Sequence, residues 1–185
     1  MKVITLNKNS LSDSGLADKR KFYFDKLFYL SPYNHFEKSL FRLAKFKQNR
    51  NIRKIILKYL MDNFLQISGT IQALIPAPSS HDINTYFLKN LANHTNIPLL
   101  MPFKKQTKKQ NKIMDQNSRY LQIQNNVSIK PKQLPNLNAG NKILVFDDIW
   151  TTGATLNQLC KLLVENGFNK EDIMCLVLFV KMKQC

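Results

Sequence analysis

The sequence predicts an α/β fold, a twisted and largely parallel sheet flanked by helices, with a helical N-terminal extension. Three observations carry that expectation. Ile143, Leu144, Val145 and Phe146 form an unbroken apolar run, and Ile173 to Val180 form another; runs without polar alternation belong to strands covered on both faces, as in parallel sheets. The first run ends in Asp147-Asp148 and leads through Thr151-Thr152-Gly153-Ala154-Thr155 into a helical stripe of Leu156, Leu159, Cys160 and Leu163, which Gly167 can close as the C′ residue. The length of 185 residues suits one domain with a sizeable core.

Residues 1–20 have little periodicity and are rich in Ser, Asn, Asp and Lys, the composition of a mobile or loosely docked extension. Lys21 to Leu30 is aromatic-rich and fits either a strand or a short amphipathic helix. Pro32 to Lys47 reads as helical. Ile52, Ile55, Ile56, Tyr59, Leu60 and Phe64 then recur at spacings of three and four, which predicts a helix with one buried face and a basic opposite face. Ile71 to Ile75 is a short apolar strand, closed by Pro76-Ala-Pro-Ser-Ser-His81. A helix is expected from about Ile83 to His94 with Phe87, Leu88, Leu91 and Ala92 inward, and a second core strand from Ile97 to Met101. The segment from Phe103 to Ser118 is too rich in lysine and glutamine to bury and reads as a loop. Tyr120 to Ile123 is a candidate strand, and Pro131 to Gly140 a turn-rich connection. The order strand, helix, strand, loop, strand, helix, strand gives a parallel sheet with right-handed crossovers. The chain divides into residues 1–66, an extension with a helical, hood-like segment, and residues 67–185, the α/β core.

Composition narrows the function classes. The N-terminus lacks the hydrophobic region of a signal peptide, and no apolar stretch approaches the roughly 18 residues needed to span a membrane, so a soluble cytoplasmic protein is expected. Cys160, Cys175 and Cys185 form neither a CxxC pair nor a regular framework, which favours reduced thiols and implies no zinc site. A GxxxxGK[ST] phosphate loop is absent, which disfavours an ordinary P-loop NTPase. The net charge of +16, from 28 Lys and Arg against 12 Asp and Glu, points to an acidic partner: a polyphosphate, a nucleic acid or an anionic surface. Much of the excess lies in Arg42, Lys45, Lys47, Arg50, Arg53, Lys54 and Lys58, and in Lys104, Lys105, Lys108, Lys109, Lys112, Arg119, Lys130 and Lys132. The plainer alternative is a solvated basic face.

The chemistry concentrates after the first apolar run. In an open α/β sheet ligands bind at the carboxyl ends of strands, where Asp147 and Asp148 would meet hydroxyls or a metal ion. The small residues that follow open a helix whose first N–H groups lack internal partners, a ready phosphate site. The alternative is an ordinary strand-to-helix turn capped by Asp148 or Thr151.

Four apolar residues, two acidic ones, two spacers and Thr-Thr-Gly-x-Thr resemble the phosphoribosyl pyrophosphate (PRPP) signature of type I phosphoribosyltransferases at every defining position. The resemblance implies that Asp147 and Asp148 hold the vicinal ribose hydroxyls and that Thr151, Thr152, Gly153, Ala154 and Thr155 hold the 5′-phosphate, with Mg²⁺ carried mainly by the ligand. It implies a pyrophosphate loop at Pro78, Ser79 and Ser80, and a loop over the reacting centre to which Lys105, Thr107, Gln110 and Arg119 belong. Lys105 and Arg119 would join the carboxylates in catalysis by offsetting charge on departing pyrophosphate. Phe41 to Asn51 resembles the Lys-Phe/Tyr segment that precedes the core in ComF-like proteins, bacterial members of this fold associated with DNA uptake and natural transformation. Two features depart from that pattern: the N-terminal cysteine zinc module is missing, and Asp82 to Phe87 lacks the Arg-Gly-Phe-Asn-Gln element. His81 and His94 read as loop or surface residues. A different class of function, a single-stranded DNA-binding module using Lys45, Lys47, Arg50, Lys104, Lys105, Lys108 and Lys109, is motivated by the basic tracts, and a nucleobase-salvage transferase is the enzymatic runner-up. If Gly153 serves only a phosphate, Gly153→Val should remain folded while losing PRPP affinity.

Overall fold

The computed structural model describes residues 1–5, 22–105, 127–136 and 141–181. In chain order the elements are strands β1 (Lys2–Thr5) and β2 (Lys26–Pro32), helices α1 (His35–Phe46) and α2 (Arg50–Phe64), strand β3 (Ile71–Pro76), helix α3 (Ile83–Thr95), strands β4 (Phe103–Lys105), β5 (Val127–Ile129) and β6 (Lys142–Trp150), helix α4 (Ala154–Glu165) and strand β7 (Ile173–Val180). The central sheet runs β1-β2-β7-β6-β3. Its three parallel pairings join β2, β7, β6 and β3, with β1 antiparallel at one edge. The apolar runs occupy the middle: every residue of β7 is buried, as are Ile143 to Phe146 of β6.

Strand alternation divides these side chains between two cores. Leu144, Phe146, Leu176 and Leu178 face one side, where Phe41 and Ala44 of α1, Ile56, Leu60 and Phe64 of α2, and Phe87, Leu88 and Leu91 of α3 cover them. Ile143, Val145, Cys175 and Val177 face the other, where they meet Leu156, Leu159, Cys160 and Leu163 of α4 together with Phe24 and Trp150. Burying each large apolar side chain contributes about 1.5–3 kcal/mol, so both layers are held chiefly by this division. The helix ends follow from local chemistry. Asn34 and Asn49 cap α1 and α2 by accepting backbone N–H groups, and α4 stops at Gly167 (φ +96°), where Phe168 N–H donates to Leu163 O and Gly167 N–H to Val164 O.

Several expectations need correction. β6 does not stop at Phe146 but continues to Trp150, so the acidic pair lies inside the strand near its carboxyl end. Ile97 to Met101 makes only one parallel bridge, Leu74 to Leu99, flanked by Pro98 and Pro102, which lack the N–H a ladder needs. The start of the chain forms the edge strand β1, and the ambiguous aromatic stretch becomes β2, beside β7. Residues 26–32 therefore join the same sheet as β3, β6 and β7. In α2 the buried stripe is Arg53, Ile56, Leu60 and Phe64, whereas Ile55 and Tyr59 are exposed. Residues 120–123 lie outside the described residues. What is seen of that region is its two flanks, β4 and β5, paired antiparallel.

Arg53 explains the turned face of α2. It is 6% exposed, its Nε donates to Ala44 O at 2.8 Å, and its two terminal nitrogens reach the Asp82 carboxylate at 3.1 and 2.8 Å. The guanidinium also lies 4.9 Å from the centre of the Tyr86 ring. One side chain thus ties α1, α2 and the start of α3 together, and the guanidinium holds the Asp82 carboxyl below the usual carboxylate range. Arg53→Met keeps the stem and removes the fork. It is expected to lower stability by roughly 1–3 kcal/mol in urea denaturation, with Arg53→Lys restoring little, because an ammonium cannot serve both the carbonyl and the bidentate carboxylate.

Candidate functional site

The carboxyl end of β6 brings together residues from four parts of the chain. Asp147 and Asp148 are neighbours in an extended strand, so their side chains leave it in opposite directions. Asp147, partly exposed over the residue as a whole but with its carboxyl group packed among neighbours, accepts a hydrogen bond from Asn84 Nδ2 at 3.0 Å and another from the Asp148 backbone N–H at 2.9 Å. Asn84, in the first turn of α3, also donates to Ala77 O at 3.1 Å and so fixes the end of β3 against the carboxylate. Asp148 is 8% exposed and points to the helical layer, where the Lys45 ammonium at the end of α1 forms an ion pair with its Oδ2.

Two acidic groups this close, one of them poorly hydrated, cannot both ionise freely. Burial, and next the charge of Asp148, push the Asp147 carboxyl up to about 7, while the Asn84 amide, the Asp148 N–H and the Lys45 charge pull the other way. Tyr33 belongs to the same electrostatic neighbourhood. Burial and then Asp148 raise its phenol, against the opposing charge of Arg42.

Beyond the carboxylates the chain turns through Thr151, Thr152 and Gly153 into α4. Thr151 and Thr152 are exposed, Gly153 and Ala154 are buried, and residues 149–156 with Asp147 line a small concavity. Gly153 sits at φ +72°, the left-handed region, as the residue preceding α4. Thr152 Oγ1 accepts from Ala154 N–H at 3.4 Å, and no side chain caps the helix. A Cβ on Gly153 would lie 2.2 Å from Cη2 and 2.3 Å from Cζ2 of Trp150, whose ring is fully buried against Phe24 and Phe22. The expectation that Gly153→Val stays folded is therefore corrected, because the glycine is required by the indole beneath it whether or not a phosphate lies above.

The second loop, Pro78 to His81, follows β3. Pro78 and Ser79 are half-buried, Ser80 is exposed, and Ser79 Oγ accepts from His81 N–H at 3.3 Å. The His81 ring meets the Phe46 ring edge to face with centroids 5.0 Å apart, which brings the end of α1 onto this loop. The structure thus gathers Asp147, Asp148 and residues 151–155 on one strand-loop-helix unit. It also puts Lys45, a member of the basic tract in sequence, at the carboxylates and not on a free surface. Lys47, Arg50 and Lys104 are exposed. The Lys105 side chain, Lys108, Lys109 and Arg119 lie outside the described residues.

Sequence reasoning missed Asn84 and the placement of Lys45. Asn84 is 1% exposed and its Oδ1 has no hydrogen-bond partner among the described residues. The signal for it was an amide in the first turn of a helix that follows a strand and a serine loop. For Lys45 no local signal exists, since its partner is over a hundred positions away in sequence. Cys160 and Cys175 are buried with Sγ atoms 3.5 Å apart, and burial raises the Cys175 thiol well above its ordinary range. They are core residues of the α4 layer, remote in role from the carboxylates.

No family model and no curated protein matches the sequence. Solved structures do. Adenine phosphoribosyl transferase from Trypanosoma brucei, in complex with AMP, pyrophosphate and ribose-5-phosphate, matches 98% of this chain and 87% of its own with a TM-score of 0.53 and 10% sequence identity. APRTase from Giardia lamblia, complexed with 9-deazaadenine, matches 72% of this chain and 69% of its own (TM-score 0.49, 15% identity), and Helicobacter pylori xanthine-guanine-hypoxanthine phosphoribosyltransferase 83% and 90% (0.36, 16%). At such identities the likeness is one of fold, and it rests on the first of the three. The chain has the type I phosphoribosyltransferase fold, a parallel central sheet flanked by helices.

Two measurements check the site's physics without any ligand. Asp147 keeps its proton in the folded chain up to about pH 7, whereas an unfolded aspartate loses it near pH 3.9, so between these values the folded state binds more protons and this group lowers stability as pH rises. Asp147→Asn retains the acceptor for Asn84 and removes the charge. Its stability relative to the parent, from urea midpoints, is expected to grow from pH 4.5 to 7.5, and a pH-independent difference would contradict the assignment. Gly153→Ala is expected to lose roughly 2–5 kcal/mol from the left-handed backbone and the collision with Trp150, read from unliganded melts.

Proposed function

We propose that this chain binds PRPP or a related ribose phosphate with Mg²⁺ at the carboxyl end of β6. Asp148 and Asp147 take the vicinal ribose hydroxyls, residues 151–155 the 5′-phosphate, and Pro78, Ser79 and Ser80 the pyrophosphate. The observation that carries the reading is the continuity of β6, loop and α4: two carboxylates, exposed hydroxyls and the start of a helix that no N-cap side chain closes follow one another in the order in which ribose and phosphate are joined. Among the described residues no group of three His, Cys, Asp or Glu could cage a metal ion. Mg²⁺ would be brought in on the ligand's phosphates, as this ion is commonly held, where it would neutralise departing pyrophosphate.

The chain's own contribution is orientation. Asn84 holds Asp147, Lys45 holds Asp148, and a ribose whose two hydroxyls are fixed presents its anomeric carbon to an acceptor in one attitude. Lys105 and Arg119 are assigned from the sequence alone to meet charge on the pyrophosphate. Displacement of pyrophosphate from the anomeric carbon is the reaction this supports, with a nucleobase as the acceptor in the salvage reading. A ComF-like role in DNA uptake, in the cytoplasm, rests on the sequence resemblance around Phe41 to Asn51. No helix among the described residues is long and apolar enough to cross a membrane.

A second reading has one observation in its favour. On the outer face of α1 and α2, Phe36, Phe46 and Tyr59 are 66%, 59% and 53% exposed, interleaved with exposed Arg42, Lys47, Arg50, Lys54 and Lys58. Aromatic rings among cations suit a single-stranded nucleic acid, whose bases stack and whose phosphates pair.

Both readings are open to direct test. Saturating PRPP with Mg²⁺ is expected to raise the melting temperature, and Thr151→Val/Thr152→Val, at exposed positions, to leave the unliganded melt near the parent while weakening binding about tenfold or more in titration calorimetry. A parent melt unmoved by PRPP would sink the ligand site. For single-stranded DNA, each phosphate neutralised should add about −0.7 to the slope of log K against log salt, and Lys47→Glu/Arg50→Glu should flatten it.

A further inference from the structure

On the basis of that reading of the site, we infer that Lys45 is a specificity-determining residue: the ammonium of α1 stands between the diol carboxylate and the 78–81 loop, where it selects ribose phosphates carrying an anionic group on the anomeric carbon. The geometry has three parts. First, Lys45 Nζ is ion-paired with Asp148 Oδ2, with side-chain exposures of 17% and 11%, so the lysine is a wall of the site and not a solvated surface charge. Second, the residue after it, Phe46, touches His81 edge to face, and His81 N–H is held by Ser79 Oγ, so the end of α1 spans from Asp148 to the loop assigned to the pyrophosphate. Third, an ammonium has three donors, and among the described residues Lys45 makes one hydrogen bond, that to Asp148; its other close neighbours are the faces of Phe41 and Phe46, with ring centres 5.5 and 6.0 Å away.

A half-buried cation with donors to spare, beside a carboxylate that takes hydroxyls, favours an anionic oxygen on the same ligand. The ribose hydroxyls of PRPP and of ribose 5-phosphate meet Asp148 alike, and both carry the 5′-phosphate. Only PRPP adds negative charge at the anomeric carbon. Lys45 therefore contributes to the difference between the two ligands, and its counter-charge to Asp148 keeps the approach of a pyrophosphate from being opposed by two carboxylates.

The test measures affinities of PRPP·Mg²⁺ and ribose 5-phosphate for the full chain by titration calorimetry, in the parent, Lys45→Met and Lys45→Arg. Because the ratio of the two affinities is taken within each variant, a partly unfolded sample does not distort it. Lys45→Met is expected to lower the PRPP preference roughly ten- to a hundredfold, the effect of one hydrogen bond to a charged group, with Lys45→Arg recovering part of it. An unchanged ratio in Lys45→Met overturns the inference while leaving the ligand site standing. Equal tightening of both ligands also overturns it, since the lysine would then be a plug. If Lys45→Met fails to fold, Lys45→Gln, which keeps a donor to Asp148 without the charge, must show the same loss of ratio or the inference fails. A parent that binds neither ligand removes the ribose phosphate site itself, and the inference with it.

Discussion

Two carboxylates on adjacent residues of an inner strand, near its carboxyl end, are the constraint from which the rest of this molecule follows. Their repulsion has to be answered by side chains brought from elsewhere, because β6 itself supplies only the Asp148 N–H. Asn84 answers for Asp147 and Lys45 for Asp148, each from a different helix of the helical layer. Each answer fixes an element: Asn84 sets the first turn of α3 against the end of β3, and Lys45 sets the last turn of α1 against β6. Arg53 then joins these two elements through Ala44 and Asp82. The helical layer is thus held by polar contacts at the end where the acidic pair lies and by apolar contacts over the sheet.

The other layer meets a steric constraint instead. Trp150 fills the space under the loop, and a residue with any side chain at 153 would contest it. Loop shape is therefore determined from below, by a ring packed against Phe22 and Phe24, and does not wait for a ligand. A loop built this way is preorganised, because its backbone is set by the core before any ligand arrives.

Much of the fold was legible because its signals are local. Ile173 to Val180 and Ile143 to Phe146 could only be covered strands, and α3 and α4 follow from apolar periodicity that the structure reproduces. What was hidden is what depends on distant partners. Arg53 and Lys45 were counted with a basic face because charge alone suggests solvent, yet each found a carboxylate through tertiary contact. Once Arg53 claims the buried stripe, Ile55 and Tyr59 are rotated outward although their spacing matched the inward set. The aromatic stretch that contains β2 could not be assigned, since its strand character comes from lying beside β7 and not from its own pattern. For Gly153, the sequence displayed a ligand motif and concealed the ring below.

The place of β2 in the sheet bears on how the chain reaches this state. Residues 26–32 are hydrogen-bonded to residues 174–180, and β1 pairs only with β2. During synthesis β2 therefore emerges before β3 and β6, and its parallel partner β7 after both. Such non-local closure is slow, and until it happens an apolar strand and its helical hairpin have no sheet to dock on. A chain cut short before Ile173 leaves β2 with an open apolar edge, the feature that invites association with other chains.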